Sequence, residues 1–316
     1  MKAGILLPHL GDSVTRDNVL YIAKEAEKEG LDSVWALERL LWPLKPQTPY
    51  AATPDGSLPT MYQNVLDPIE TLTFVAANTE KIALGTSVID MLFHNPVILA
   101  RRFATLDVLS EGRAICGLGI GWSKDEYDVS GIPYKHRGER ANEFLQLLKR
   151  IWTDEVIEFK GKFYSIPASK IGPKPVQRPH PPILLGGFSQ NTFSRIVNYA
   201  DGWLPVAGFG PLAQLEQAIN GLREGARKAN KDPSKIRVFA LTYPNVLDSL
   251  SSTTSSSSSK QQRLPMTGTI DQIGTDIDQI KAMDVEHIIF GHAFSPTGKD
   301  MKKMIEITKQ LARFAR

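Results

Sequence analysis

Glycines at the ends of two apolar runs are the part of this sequence best suited to hold a ligand. Gly117-Leu118-Gly119-Ile120-Gly121-Trp122 directly follows the apolar run 113–116. Glycines at a strand end allow the backbone to approach a flat or phosphorylated ligand closely. The dinucleotide motif G-x-G-x-x-G is incomplete, because Trp122 stands at the position of its third glycine. The segment therefore predicts a ligand-binding strand end and does not favour a Rossmann site.

The second glycine pair lies in Pro181-Pro182-Ile183-Leu184-Leu185-Gly186-Gly187-Phe188-Ser189. This order predicts a strand, a glycine turn and a helix that begins at Ser189. Free backbone N–H groups and the positive end of a helix dipole bind phosphate well. We interpret Gly186–Ser189 as a phosphate site, and a tight turn without a ligand is the alternative.

A third apolar run ends in Leu84-Gly85-Thr86-Ser87-Val88 and is followed by Phe93-His94-Asn95-Pro96. Pro96 fits the first turn of a helix that starts after Asn95. We interpret His94 as a loop or capping residue, with a catalytic role as the alternative. Asp125 and Glu126, just after Trp122, are interpreted as helix caps.

The elements that must position these residues alternate regularly along the chain. The runs that predict strands are Ala3–Leu7, Ser33–Leu37, Ile82–Val88, Arg113–Leu118, Pro182–Leu185, Gly202–Val206, Ile236–Leu241 and Glu286–Phe290. The segments between them that predict helices are 16–29, 68–79, 96–109, 137–152, 190–200, 211–229, 269–283 and 298–315. Most of the strand segments are continuously apolar, which is typical of parallel strands covered on both faces. Eight such units favour an α/β fold of the closed (β/α)8 TIM-barrel type, and a doubly wound open sheet is the alternative.

Three insertion loops interrupt this alternation, at residues 39–66, 154–181 and 248–265. The second begins with a hairpin-like stretch, Val156–Tyr164, and the third contains the serine tract 251–259. We interpret the serine tract as a loop, with an active-site lid as the alternative. None of the inserts suggests a domain boundary, so residues 1–316 are expected to form one domain.

Composition excludes several classes of partner. The net charge of +3 at pH 7 is dispersed, so we expect no nucleic acid and no membrane as a partner. Cys116 is the single cysteine and cannot form an internal disulfide, which favours a reducing compartment. The apolar run at the start of the sequence is too short for a signal peptide, and no segment reaches the length of a membrane span. A cytoplasmic protein is expected.

Several motifs, taken in order, resemble the bacterial-luciferase-like monooxygenase superfamily. They are Ile82–Val88, His94-Asn95-Pro96-Val97, Ala104–Arg113, Gly117–Trp122, Ile132–Arg140, Lys174-Pro175-Val176-Gln177 and Asp201-Gly202-Trp203. The stretches Thr48-Pro49-Tyr50, Pro54-Asp55-Gly56, Leu58-Pro59 and Asp67-Pro68 are similar to a branch of F420-dependent oxidoreductases. The resemblance covers nearly the whole chain.

The resemblance implies a site. It implies a non-proline cis peptide between Ser87 and Val88 beneath the central ring of a cofactor, and the cofactor phosphate at the turn Gly186, Gly187, Phe188 and Ser189. It also implies ring contacts from Gly119, Gly121 and Trp122, and catalytic roles for Glu38 and Arg39 at the reactive face. Two positions depart from the family pattern: Arg39 replaces a common His, and Trp122 replaces a Glu of sugar-phosphate dehydrogenases. Because Arg does not readily release a proton, acid–base transfer at position 39 is in doubt.

The implied activity is hydride transfer between coenzyme F420, a deazaflavin, and a small organic substrate. An FMN-dependent monooxygenase that uses reduced flavin and O2 is the alternative, and a non-catalytic flavin-binding barrel is a third hypothesis. For the acidic tail of the deazaflavin we expect contacts with Lys170, Lys174 and Arg178. Arg137 and Arg140 are expected to form structural ion pairs with Glu139 or Glu143. Dimers are common among relatives, so a homodimer remains open.

Overall fold

The computed structural model describes residues 1–53, 55–247 and 263–316. Its strands are β1 (Lys2–Leu6), β2 (Ser33–Ala36), β3 (Ala83–Thr86), β4 (Ile89–Asp90), β5 (Ala114–Gly119), β6 (Ile157–Lys160), β7 (Ser165–Ser169), β8 (Ile183–Leu185), β9 (Gly202–Trp203), β10 (Val206–Ala207), β11 (Arg237–Thr242), β12 (Asn245–Val246), β13 (Thr267–Gly268) and β14 (His287–Phe290). Its helices are α1 (Arg16–Lys28), α2 (Pro68–Ala76), α3 (Pro96–Leu109), α4 (Lys124–Val129), α5 (Arg137–Thr153), α6 (Gln190–Tyr199), α7 (Leu212–Lys228), α8 (Ile270–Ala282) and α9 (Met301–Ala315).

Eight parallel strand positions close into a barrel. The ring runs β1, β2, β3, β5, β8, β9, β11 and β14, and β14 pairs again with β1. Closure on the other side is carried by Arg237 of β11 opposite Gly202 of β9. The predicted (β/α)8 barrel is confirmed, and the open-sheet alternative is wrong.

Capping residues in the sequence determine where the helices that connect the strands begin. The Asp67 side chain accepts from the Ile69 N–H and caps α2, with Pro68 in the first turn. Asn95 does the same for α3, and Pro96 follows it. These caps satisfy N–H groups that have no partner within the helix. The connections are helical crossovers of the kind that parallel strands require, and they bring the strand ends to one common mouth.

Large side chains fill the interior of the barrel. Trp35 is fully buried and packs edge-on against Phe239, with ring centroids 5.9 Å apart. Gly85 makes room for it, because a Cβ there would lie 2.3 Å from the Trp35 ring. A packed interior leaves no channel through the barrel, so a ligand must bind above it, at the carboxyl ends of the strands.

The structure refines three sequence predictions. The third strand is divided into β3 and β4, and the sixth into β9 and β10. The hairpin predicted in insert 154–181 is confirmed as the antiparallel pair β6–β7. That insert follows α5 and therefore lies at the amino-terminal end of the barrel.

The serine tract 251–259 lies outside the described residues. No helix in the described ranges is long and apolar enough to span a membrane.

Buried histidines are expected to make the fold acid-sensitive. Burial lowers the pKa of His9 and His292 to about 4 and that of His287 to about 3. The unfolded chain therefore binds protons between about pH 6.5 and pH 4 that the folded chain does not bind. The free energy of unfolding should be fully retained above about pH 6.5 and fall as the pH drops towards 4, by about 3 kcal/mol for each histidine. Urea denaturation across this pH range measures the loss. In the variant His292→Asn the free energy of unfolding should fall less steeply with pH. A fall as steep as in the wild type would contradict the role of His292 in this acid sensitivity.

Candidate active site

Ser87, Val88, Gly119 and Gly186 lie together at the strand ends and are called the cradle below. The peptide between Ser87 and Val88 is cis, which confirms the geometry implied by the family resemblance. A Cβ built on Gly119 would lie 2.8 Å from Val88 Cγ2, and one built on Gly186 would lie 3.4 Å from Val88 Cγ1. The Val88 side chain is therefore flanked by two positions that lack side chains. Gly119 is required because the Val88 side chain packs directly against it, and backbone alone flanks Val88 on both sides.

One hydroxyl beside the cradle lacks a partner. Ser87 Oγ is buried and has no hydrogen-bond partner among the described residues. An unsatisfied buried polar atom costs about 1–3 kcal/mol, so such an atom usually meets a ligand or an ordered water. The Ser87 backbone is held in place because its N–H donates to the Ala36 carbonyl at 2.8 Å.

Glu38 lies at the end of β2 in a fixed hydrogen-bond network. Its Oε1 lies 2.6 Å from His94 Nε2, and its Oε2 accepts from the Asp90 N–H at 2.9 Å. His9 fixes the backbone just before Glu38. Its Nδ1 donates to the Leu7 carbonyl and its Nε2 accepts from the Leu37 N–H, each at 2.8 Å. His94 lies in the loop before α3, as one form of the interpretation had it, but Asn95 caps that helix and the His94 ring pairs with a carboxylate from another strand end.

Arg39 is immobilised by a buried ion pair and two aromatic rings. Its Nη1 donates to Glu126 Oε2 at 2.9 Å, and the two side chains are 8% and 1% exposed. The guanidinium lies 5.0 Å from the Trp122 ring centroid and 5.4 Å from that of Tyr62. Arg39 Nε has no partner in the described part of the chain. The site therefore contains a permanent cation with one N–H still free to bind.

The capping roles predicted for Asp125 and Glu126 are wrong. Ser123 caps α4, with its side chain accepting from the Glu126 N–H. The Glu126 carboxylate instead binds Arg39 and the Leu40 N–H, and Asp125 accepts from the Gln47 N–H. Burial raises the pKa of Glu126. These acids tie the insert 39–66 to α4 because their partners all lie within it.

Asp90 brings a third carboxyl group to this cluster. Its Oδ1 accepts from the Gly121 N–H at 3.0 Å and lies 2.5 Å from the point where a Gly119 Cβ would be. Burial and the nearby Glu38 and Glu126 carboxylates raise the pKa of Asp90 to about 7. Asp90 and His9 were not predicted from the sequence, because neither residue belongs to a recognisable motif.

The turn predicted to bind phosphate lies beside the same cradle. Ser189 caps α6, as predicted, and accepts from the Thr192 N–H at 3.1 Å. Gly187 has a φ of +109°, and its carbonyl accepts from Trp203 Nε1 at 2.8 Å. A side chain at Gly187 would be strained, so this turn requires glycine whether or not it binds a ligand. Phe188 is exposed at the mouth.

A cavity of about 740 Å³ opens next to this turn. It lies between the first turns of α5 and the length of α6, and it is lined by Ile120, His136, Arg137, Gly138, Glu139, Asn142, Ser189, Asn191, Ser194, Arg195, Asn198 and Tyr199. Two helix amino termini therefore face one space, and both favour negative charge there.

Arg195 is a buried cation in the wall of this cavity. Its Nε donates to Asn142 Oδ1 at 2.8 Å and its Nη2 to the Gly138 carbonyl at 3.2 Å. No carboxylate pairs with it among the described residues. Burial lowers its pKa, which reflects the cost of placing an uncompensated charge there. Buried charges are normally paired, so this guanidinium is suited to bind an anion in the cavity.

The ion pairs predicted for Arg137 and Arg140 are absent from the described structure. The Arg137 guanidinium lies 3.9 Å from the Tyr134 ring centroid, and that of Arg140 lies 4.4 Å from the Phe163 centroid. Their expected partners are engaged elsewhere: Glu139 pairs with His136 and Lys162, and Glu143 accepts from the backbone N–H groups of residues 162–164. Stacking on aromatic rings has replaced the predicted pairing.

The basic residues predicted to bind an acidic tail lie at the wrong end of the barrel. Lys174 Nζ donates to carbonyls in the last turn of α5, and Arg178 Nη1 donates to the Pro175 carbonyl. Lys170 is paired with the exposed Glu155. Because α5 ends at the face opposite the strand ends, these side chains cannot line a groove that leaves the glycine turn.

Fold and site together define a (β/α)8-barrel with a ligand site at its carboxyl-terminal mouth. The sequence profile of the luciferase-like monooxygenases matches residues 1–257. The match covers most of the chain, and the chain belongs to this family.

Two relatives and one solved structure illustrate the relationship. An uncharacterised protein of Mycobacterium tuberculosis is 38% identical over 184 residues, which are 58% of this chain and 65% of that protein. The F420-dependent glucose-6-phosphate dehydrogenase of Amycolatopsis mediterranei is 32% identical over 224 residues, 68% of this chain and 61% of that enzyme. The chain thus spans less than two thirds of the length of either relative. An F420-dependent secondary alcohol dehydrogenase, solved with an F420–acetone adduct, has the same fold, with a TM-score of 0.78 at 21% identity over 100% of this chain and 99% of that chain.

Proposed function

We propose that this protein is an oxidoreductase that transfers a hydride between coenzyme F420 and a small organic substrate. The observation that carries the proposal is the buried Arg195, which has no carboxylate partner in the described structure and lines a cavity that reaches Ser189 of the glycine turn. The site thus offers a flat surface next to an anion site, which suits a tricyclic ring joined to a phosphate. Family membership and the F420-dependent relative support the same assignment.

The residues of the cradle fit such a cofactor. The ring would rest on Val88, flanked by the backbone of Gly119 and Gly186, and Ser87 Oγ would gain the partner it lacks. The phosphate would lie at residues 186–189, within reach of Arg195. When bound, the deazaflavin supplies the carbon that donates or accepts the hydride.

The chain's own residues would orient the reactants and exclude water. Tyr50 lies 5.5 Å from Trp122 between ring centroids, and its hydroxyl lies 3.3 Å from that of Tyr62. These rings form an apolar wall above the cradle. Arg39 would direct its free Nε–H towards an oxygen of the substrate or ring, and Glu38 would keep His94 and the Asp90 backbone in place.

An FMN-dependent monooxygenase is the second candidate, because the cradle and the glycine turn fit FMN equally well. The size of the cavity favours the deazaflavin. At about 740 Å³ the cavity exceeds the space that a phosphate needs, and a deazaflavin continues beyond its phosphate as an acidic tail. The cavity lining offers Arg137 and His136 to that tail, in place of the lysines predicted from sequence.

Turnover tests the proposal directly. The purified protein with oxidised F420 and a panel of small alcohols should bleach the absorbance of the oxidised deazaflavin. Oxygen consumption with reduced FMN, and no change in F420 with any substrate of the panel, would favour the monooxygenase. Absence of both reactions in a protein that binds its cofactor would favour the non-catalytic flavin-binding barrel.

The variant Gly186→Ala probes the cradle without disturbing the fold. Its methyl group would make ordinary contact with Val88 Cγ1 at 3.4 Å and would occupy the space assigned to the ring. We expect the cofactor Kd to rise at least about tenfold, or about 1.4 kcal/mol, with an unchanged melting temperature. Gly221→Ala is the matched control, because a Cβ there meets nothing within 4 Å. Fluorescence titration of both variants measures the effect, and equal Kd values would argue against this placement of the ring.

A further inference from the structure

Three carboxyl groups meet at the candidate site, and among the described residues Arg39 is the permanent cation that pairs with one of them. Glu38, Asp90 and Glu126 face one another across the ends of β2, β4 and α4, and Arg39 carries the compensating charge. His94 contacts Glu38, and Tyr127 of α4 also faces Asp90. Like charges in a poorly solvated space disfavour full ionisation, so such a cluster tends to retain a proton.

Asp90 is the member of this cluster whose carboxyl packs against Gly119 of the cradle. Its Oδ1 lies 2.5 Å from the position of a Gly119 Cβ and accepts from the Gly121 N–H. Glu126 is committed to Arg39 and the Leu40 N–H, and Glu38 is committed to His94 and the Asp90 N–H. The Asp90 carboxyl has one backbone hydrogen bond in the described structure, and it packs against Gly119 beside the Val88 side chain.

The geometry points to Asp90 as the residue that exchanges a proton with the substrate during hydride transfer, an inference that rests on the proposed function. Arg39, three residues beyond β2, cannot supply that proton, because a guanidinium stays charged. Its unpartnered, buried Nε–H is instead suited to hold the substrate oxygen. The proton donor, Asp90, and the oxygen-binding group, Arg39, thus reach the site from the ends of different strands.

The assignment narrows the substrate to a carbonyl and alcohol pair. In the direction of reduction, a hydride carries two electrons from reduced F420 to the carbonyl carbon, while the Asp90 proton goes to the carbonyl oxygen. The carbonyl becomes an alcohol, F420 is oxidised, and Asp90 is left as a carboxylate that solvent protonates again. The raised pKa of Asp90, about 7, suits exchange in both directions near neutrality.

Two readouts on Asp90→Asn test the inference. In the protein without cofactor, infrared spectroscopy should detect a protonated carboxyl group that disappears as the pH rises through about 7 in the wild type and is missing in the variant. With F420 and substrate, turnover should fall about 10²–10⁴-fold and the pH–rate profile should lose its limb near neutrality, while the Kd for F420 changes little. Asp17→Asn, at an exposed acid of α1, is the matched control.

Either of two results would overturn the assignment: a carboxyl signal that titrates alike in wild type and Asp90→Asn, or a variant with wild-type rate and pH profile. Asp90→Ser removes the carboxyl and keeps a small polar side chain, and it replaces Asp90→Asn if that variant unfolds early. Failure of the proposed function would give a different result, because the wild-type protein itself would then neither bind nor reduce F420.

Discussion

Replacing Arg195 with Gln is expected to weaken cofactor binding about a hundredfold while leaving the apoprotein equally or more stable. The guanidinium is buried against Asn142 and the Gly138 carbonyl, which are neutral acceptors. A hydrogen bond to a charged group contributes about 1.5–3 kcal/mol, and binding to F420 loses this contribution in the variant. The apoprotein no longer has to bury an uncompensated charge, so its free energy of unfolding should not fall.

Opposite effects on binding and stability distinguish an anion site from a structural arginine. Urea denaturation of the apoprotein and fluorescence titration with F420 measure the two quantities. Inorganic phosphate should compete with F420 in the wild type and lose this effect in Arg195→Gln. Arg16→Gln, at an exposed position of α1, is the control. A clear loss of stability with an unchanged Kd would assign Arg195 a purely structural role.

Replacing Glu126 with Gln is expected to destabilise the fold by about 3–5 kcal/mol, because the variant leaves the Arg39 charge buried without its partner. The Leu40 N–H also loses a charged acceptor. Urea denaturation measures the change in the free energy of unfolding. The double variant Arg39→Gln with Glu126→Gln should recover part of the loss, since it removes both charges.

An exposed ion pair supplies the matched comparison. Lys170 and Glu155 are 73% and 79% exposed, so Glu155→Gln should cost less than about 1 kcal/mol. If Glu126→Gln cost no more than this variant, the Arg39–Glu126 pair could not be the element that fixes the insert 39–66 onto α4.

The architecture and one part of the site were predictable because their signals are local. Continuous apolar strands and helical periodicity indicated the barrel, and a strand followed by Gly186-Gly187 and a capping Ser189 indicated the turn. Each of these patterns is complete within about ten neighbouring residues. The cis peptide at Ser87 came from family resemblance alone, since no local rule for a non-proline bond exists.

The charge network was not predictable, because its partners are distant in sequence. His94 meets Glu38 across 56 positions, and Arg39 meets Glu126 across 87. These pairs form only once the barrel has closed in one register, so each residue by itself resembles a cap or a surface group. Arg195, in the middle of an amphipathic helix, likewise carries no sign that its face borders a cavity.

The placement of the basic residues shows the same limit. Lys174 and Arg178 are close in sequence to the glycine turn, yet the chain must still traverse β8 to reach it. Lys174 and Arg178 therefore lie one barrel length away from the site that they were predicted to line, although they are close to it in sequence.

A competitive titration of the apoprotein with F420 and FMN tests the central claim most directly. Both cofactors share the ring and ribityl phosphate, so any preference reports the reactive ring position and the tail cavity next to Arg195. The proposed function predicts micromolar binding of F420, measured by fluorescence quenching, and displacement of bound FMN by F420. Micromolar binding of FMN with no measurable binding of F420 would contradict it.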